Sequence, residues 1–151
     1  MKRLFAALLS LPCLASAAFE QVAPGIHRWQ DTCNVHVLKH EDTALLINLG
    51  DGAVLDHLAE IGVKRVEWVL LPDHHRELCQ GAPKLDRAIT KVATSEVERE
   101  ILESPLSFRK WHPRLGDKYS VHGASYVRPP AAPLKIDRVL ADGEVFTWNG
   151  F

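Results

Sequence analysis

Between Pro72 and Gly81 the chain reads Pro-Asp-His-His-Arg-Glu-Leu-Cys-Gln-Gly, so Asp73, His74, His75 and Glu77 crowd proton- and cation-binding groups into one short stretch. Asp73 and His75 are separated by a single residue, and a tight loop can turn a carboxylate oxygen and an imidazole nitrogen toward one point. Neutral imidazole with carboxylate oxygen suits zinc, and also iron or manganese. Composition alone favours a plainer reading, because two histidines and two carboxylates at a strand's end form an ordinary solvated loop in most proteins. His74 is expected to face away from its neighbours, as a solvated or hydrogen-bonded histidine. Cys79 lies near His75, but nothing in the sequence orients the pair as a nucleophile and base. There is no Gly-rich phosphate loop and no serine or cysteine nucleophile elbow. His36 on a strand and His57 on a helix are expected to be structural, and Trp111-His112 is expected to pack, with substrate contact as the rival role.

The loop must be presented by the elements before and after it. Val66 to Leu71 is an uncharged run after Glu67, the pattern of a buried strand. Upstream, Ile26–Trp29, Asn34–Leu38 and Thr43–Ile47 read as short strands, with a turn at Glu41-Asp42 and a stop at Gly50-Asp51-Gly52. Asp51 is placed to cap a helix whose apolar face is Val54, Leu55, Leu58 and Ile61 and whose stop is Gly62. A helix crossing between two buried strands predicts a layered α/β domain, in which loops leaving the carboxyl ends of strands commonly hold the chemistry. Beyond the loop, Pro83 is expected to open a helix through Leu85, Ala88 and Ile89, followed by a strand over Lys91–Thr94. Ser95 with Glu98 three residues on is a capping-box pattern for a helix reaching Leu102 before Pro105. The stretch 105–133 has no period but carries Phe108, Trp111, Tyr119 and Tyr126, so it is expected to pack as a long excursion. Leu134–Leu140, a turn at Asp142-Gly143 and Glu144–Trp148 read as a final strand pair. Asn149-Gly150 then signals a further hairpin whose partner is only Phe151, so the chain is expected to stop in mid-motif, as a truncated product would.

Lys2-Arg3, the apolar run Leu4–Leu14 and Ala15-Ser16-Ala17 form the three parts of a secretory signal peptide over residues 1–17. A lipid anchor at Cys13 ranks below it, because Pro12 stands where a small residue is expected. The expectation is export to a periplasmic or extracellular setting, with residues 18–151 as one domain and no membrane attachment after cleavage. Among the 151 residues, 18 Lys and Arg face 19 Asp and Glu for a net charge of −1, and loss of Lys2 and Arg3 makes the remainder more acidic. That balance argues against nucleic acid or an anionic membrane as partner. Cys33 and Cys79 remain after cleavage; an oxidising compartment lets them pair, and two buried free thiols are the equal alternative.

Two segments carry a family resemblance: Asn48-Leu49-Gly50-Asp51-Gly52, and Trp68-Val69-Leu70-Leu71-Pro72-Asp73-His74-His75-Arg76-Glu77-Leu78-Cys79-Gln80-Gly81. Together they resemble the metallo-β-lactamase superfamily, whose loop after a buried strand is Thr-His-x-His-x-Asp-His-x-x-Gly. The resemblance runs from about Phe19 to the end of the chain and implies an αββα sandwich of which only the first half is present. It puts the family's first histidine on Asp73, the second on His75, the aspartate on Glu77 and the third histidine on Leu78. The family's upstream aspartate falls on Asn48. Leu78 has no ligand atom, so the implied site is mononuclear at best, with Asp73 and His75 as metal ligands beside a downstream histidine beyond Phe151, and Glu77 as a weaker metal ligand or the base for an attacking water. Two protein ligands within this chain are too few for a tight site. The resemblance implies a metal-dependent hydrolase of a small ester, amide, thioester or phosphoester. A fold-bearing protein that has lost its metal, with a binding role or as a vestige, is the alternative. Oligomeric state is not legible.

Overall fold

The computed structural model describes residues 18–111 and 128–151, the side chains of Arg109 and Trp111 excepted. The signal-peptide reading, His112, Tyr119 and Tyr126 therefore lie outside the described residues.

Among the described residues, seven strands form one sheet whose spatial order follows the chain. β1 (Glu20–Ala23), β2 (Ile26–Gln30), β3 (Asn34–His40) and β4 (Thr43–Ile47) are an antiparallel meander. β5 (Arg65–Leu71), β6 (Lys91–Ser95) and β7 (Arg138–Leu140) then add in parallel to β4. Register follows side-chain alternation: Val37 pairs with Leu46, Leu46 with Val69, and Val69 with Val92. These four residues share one face and are buried, together with Trp29, Val35 and Leu71. A one-residue slip would turn all of them away from the core, which fixes the register.

That face is covered by the crossovers. After β4 the chain forms α1 (Val54–His57), which tightens into a 3-10 turn over Leu58–Ile61 and ends at Gly62 with φ 75°. The expected stop at Gly62 is thus met, but Asp51 does not cap the helix: Ala53 occupies that position, and Asp51 instead accepts the Ala53 N–H at 2.8 Å in a turn of its own. Buried Leu49, Val54, Leu58 and Val63 from this crossover join the core, each contributing on the order of 1.5–3 kcal/mol by burial. The crossover after β5 holds α2 (Arg76–Cys79), and the one after β6 holds α3 (Glu96–Glu103), a 3-10 turn over Pro105–Ser107 and α4 (Phe108–Trp111).

Two expected elements do not form downstream. Pro83 opens only a 3-10 turn, Ala82–Lys84, because Asp86 takes the chain into a turn, accepting the Ala88 N–H on its side chain and the Ile89 and Thr90 N–H groups on its carbonyl. Glu144–Trp148 is not a strand. It crosses the other face of the sheet through ring contacts, Phe146 edge-on to Trp68 at 5.2 Å and Trp148 edge-on to His40 at 6.4 Å, with Trp148 Nε1 donating to Glu67. The Asn149-Gly150 turn does form: both residues have positive φ, and Trp148 and Phe151 exchange backbone hydrogen bonds across it. Among the described residues no helix is long and apolar enough to cross a membrane.

Candidate metal centre

β5 ends at Leu71, and Pro72, with no N–H to donate, releases the chain at the carboxyl end of the parallel strands. The Asp73 carboxylate then accepts the His75 N–H at 2.8 Å, an Asx turn that folds the loop back on itself. His75 becomes the residue before α2, and its carbonyl accepts the Leu78 N–H. In this turn Asp73 Oδ1 lies 3.6 Å from His75 Nε2 and 3.7 Å from His74 Nδ1. One ligand atom from each of Asp73, His74 and His75 falls within 4.8 Å of the others.

Asp73 and His75, read together from the sequence, do lie together, and His74 is hydrogen-bonded as expected, but its direction differs from the expectation. It does not face away. Its ring is buried, stands edge-on to the His75 ring at 5.2 Å, and joins the group. Glu98 accepts from both the His74 backbone N–H, at 2.9 Å, and Nδ1, at 2.5 Å. Glu98 was legible only as a capping residue of α3. That box is not made: Ser95 gives no side-chain cap, and the carboxylate reaches across to the loop instead. Glu77, in the first turn of α2, places its carboxylate 3.9 Å from His75 Nδ1, beside the group of three.

Backbone bonds seat the loop. The Leu78 carbonyl accepts from Leu49 N–H at 2.8 Å and Gly50 N–H at 3.2 Å, and Gly81 N–H donates to Gly50 at 2.9 Å. Leu78 thus offers no ligand but ties α2 to the end of β4. Asn48 sits at φ 65° and donates from Nδ2 to the Asn34 carbonyl at 3.0 Å. A carboxylate there could not donate, which gives the amide a structural reason.

Cys33 and Cys79 are both free thiols. Burial, then the Asp73 and Glu77 carboxylates, push the Cys79 thiol up to about 12; burial and Asp31 push Cys33 up to about 11. A thiol that keeps its proton is a poor nucleophile, so the idea of Cys79 as a nucleophile for His75 is set aside. Two imidazoles and a carboxylate at the end of a parallel strand match the donor set of an open catalytic zinc site, which takes three protein ligands. The residues present fit a single divalent cation.

No family model and no curated protein sequence matches this chain. Solved structures do. BJP-1, a subclass B3 metallo-β-lactamase of Bradyrhizobium japonicum, superposes with a TM-score of 0.61 at 19% identity, over 86% of this chain and 47% of that one. Native FEZ-1 metallo-β-lactamase from Legionella gormanii gives 0.58 at 16% identity, over 83% and 47%. A Cronobacter sakazakii metallo-β-lactamase with a HARLDQ motif gives 0.58 at 16% identity, over 86% and 50%. The chain spans about half the length of the structures it matches. At these identities the likeness is one of fold. Over that length, this chain has the metallo-β-lactamase fold.

Proposed function

We propose that this chain is an exported, metal-dependent hydrolase with a mononuclear centre at Asp73, His74 and His75. The observation that carries the reading is the convergence of one carboxylate and two imidazoles within 4.8 Å at the carboxyl end of β5. A bound divalent cation would supply Lewis acidity and bring water close to ionisation near neutral pH. The protein's own contribution is positional. Asp73 serves the centre with one oxygen while that same carboxylate holds the His75 N–H, so the loop cannot open without releasing the site. Glu77, 3.9 Å from His75 Nδ1 and 44% exposed, is the carboxylate we assign as general base for an attacking water. The similar proteins named above are metallo-β-lactamases; for this chain the substrate class stays at a small ester, amide, thioester or phosphoester. Export rests on Lys2-Arg3, the apolar run and Ala15-Ser16-Ala17.

The test is a panel of chromogenic esters, thioesters, phosphoesters and a β-lactam, offered to the purified chain loaded with zinc, iron or manganese. Turnover of at least one class, lost on chelation and restored by the metal, is expected. Turnover that survives chelation, or none with any metal, overturns the hydrolase reading.

One observation favours a second reading, a fold-bearing protein with no activity: the position that the resemblance gives to a third histidine is Leu78, used here through its backbone.

A further inference from the structure

Glu98 lies 24 residues beyond His74 in sequence, on α3, yet one oxygen of its carboxylate grips that histidine twice, at the backbone N–H and at Nδ1. We infer that Glu98 is a positioning residue of the metal centre, one that fixes the His74 ring and leaves Nε2 as the nitrogen able to offer a lone pair to a divalent cation. The inference rests on the functional reading above.

Three observations carry it. First, a carboxylate in the opening turn of a helix ordinarily folds back to cap it; here Ser95 makes no side-chain cap, and Glu98 is aimed at the loop after β5. Second, the contact is sheltered: the side chains of His74 and Glu98 are 9% and 18% exposed, so water competes weakly for either group. Third, the ring is held from another side by Phe108 of α4, edge-on at 5.7 Å, so α3 and α4 together set its plane. In a neutral imidazole only one nitrogen carries hydrogen, and a carboxylate that accepts from Nδ1 selects the tautomer with the lone pair on Nε2. A carboxylate behind a ligating histidine also raises its basicity, and removing such a partner commonly weakens metal affinity about 10- to 100-fold. The rival is an imidazolium–carboxylate pair, doubly protonated at the ring, that serves the packing alone.

Two measurements on the full chain decide. Long-range proton–nitrogen correlation spectra of the metal-free protein report the His74 protonation pattern: Nδ1–H with bare Nε2 is expected, and a doubly protonated ring overturns the proposal. Zinc affinity is then read by competition with a chromophoric chelator in the wild type and in Glu98→Gln, with a thermal melt as the folding control. The variant is expected to bind about 10- to 100-fold more weakly. If the wild type takes up zinc and a folded Glu98→Gln binds it equally well, this proposal alone falls. If the wild type takes up none, the functional reading falls and takes the proposal with it. Should Glu98→Gln not fold, the wild-type spectrum still decides the tautomer.

Discussion

At the scale of single residues the centre depends on groups that do two jobs. Asp73 closes the Asx turn on His75 and stands between the two histidine rings, while His75 both precedes α2 and offers its Nε2 toward Asp73. Removing the His75 ring deletes one of the three proposed ligands and leaves the backbone turn intact. His75→Ala is therefore expected to weaken zinc binding by on the order of 100-fold with little change in melting temperature, as calorimetric titration would read. Asp73 and His75 were legible because their residue types and their spacing of two agree with a turn. His74 was not, since an alternating backbone points it away from its neighbours; the Asx turn breaks that alternation. Its partner Glu98 was hidden for another reason. The capping pattern with Ser95 offered a complete local explanation, and only the sheet brings α3 to the loop.

At the scale of elements, the strands could be read because period-2 alternation and apolar runs report burial directly, and β4 has the predicted bounds, Thr43–Ile47. The helices after Gly52 and after Ser95 were read from their apolar faces and stops, but α2 could not be. α2 has four residues and no apolar period, and its place is set by backbone bonds to the end of β4. Backbone meets backbone in that junction at Gly81, where an added Cβ would lie 2.4 Å from the Gly52 nitrogen and 2.5 Å from its Cα. Backbone cannot yield as a side-chain tip can, so Gly81→Ala must push α2 and the metal loop away from β4. The expected cost is about 1–3 kcal/mol, seen as a lower denaturant midpoint and accompanied by weaker zinc binding. An unchanged midpoint would show that the junction is looser than described. The Glu144–Trp148 segment misled the sequence reading because its Val145, Phe146 and Trp148 resemble a strand, whereas the rings pack singly against the sheet face.

For the whole molecule, the two thiols tie stability to pH. Cys33 and Cys79 hold their protons more tightly when folded, up to about 11 and about 12 against an ordinary 9.0. Groups with a raised folded pKa contribute stability that is fully present below the unfolded value and is lost as pH rises through the folded one. Denaturant midpoints are therefore expected to be insensitive to these thiols up to about pH 8 and to fall beyond about pH 9, with a shallower fall in Cys79→Ala. An identical alkaline slope in that variant would refute the burial of the thiol. A fold assignment does not carry a metal with it. The claim that this chain holds one rests on Asp73, His74 and His75. It is tested most directly by metal analysis of the purified chain after supplementation with zinc, iron and manganese and removal of excess. About one equivalent of a single metal is the expected result, falling in His75→Ala; less than about a tenth of an equivalent of any of the three would contradict it.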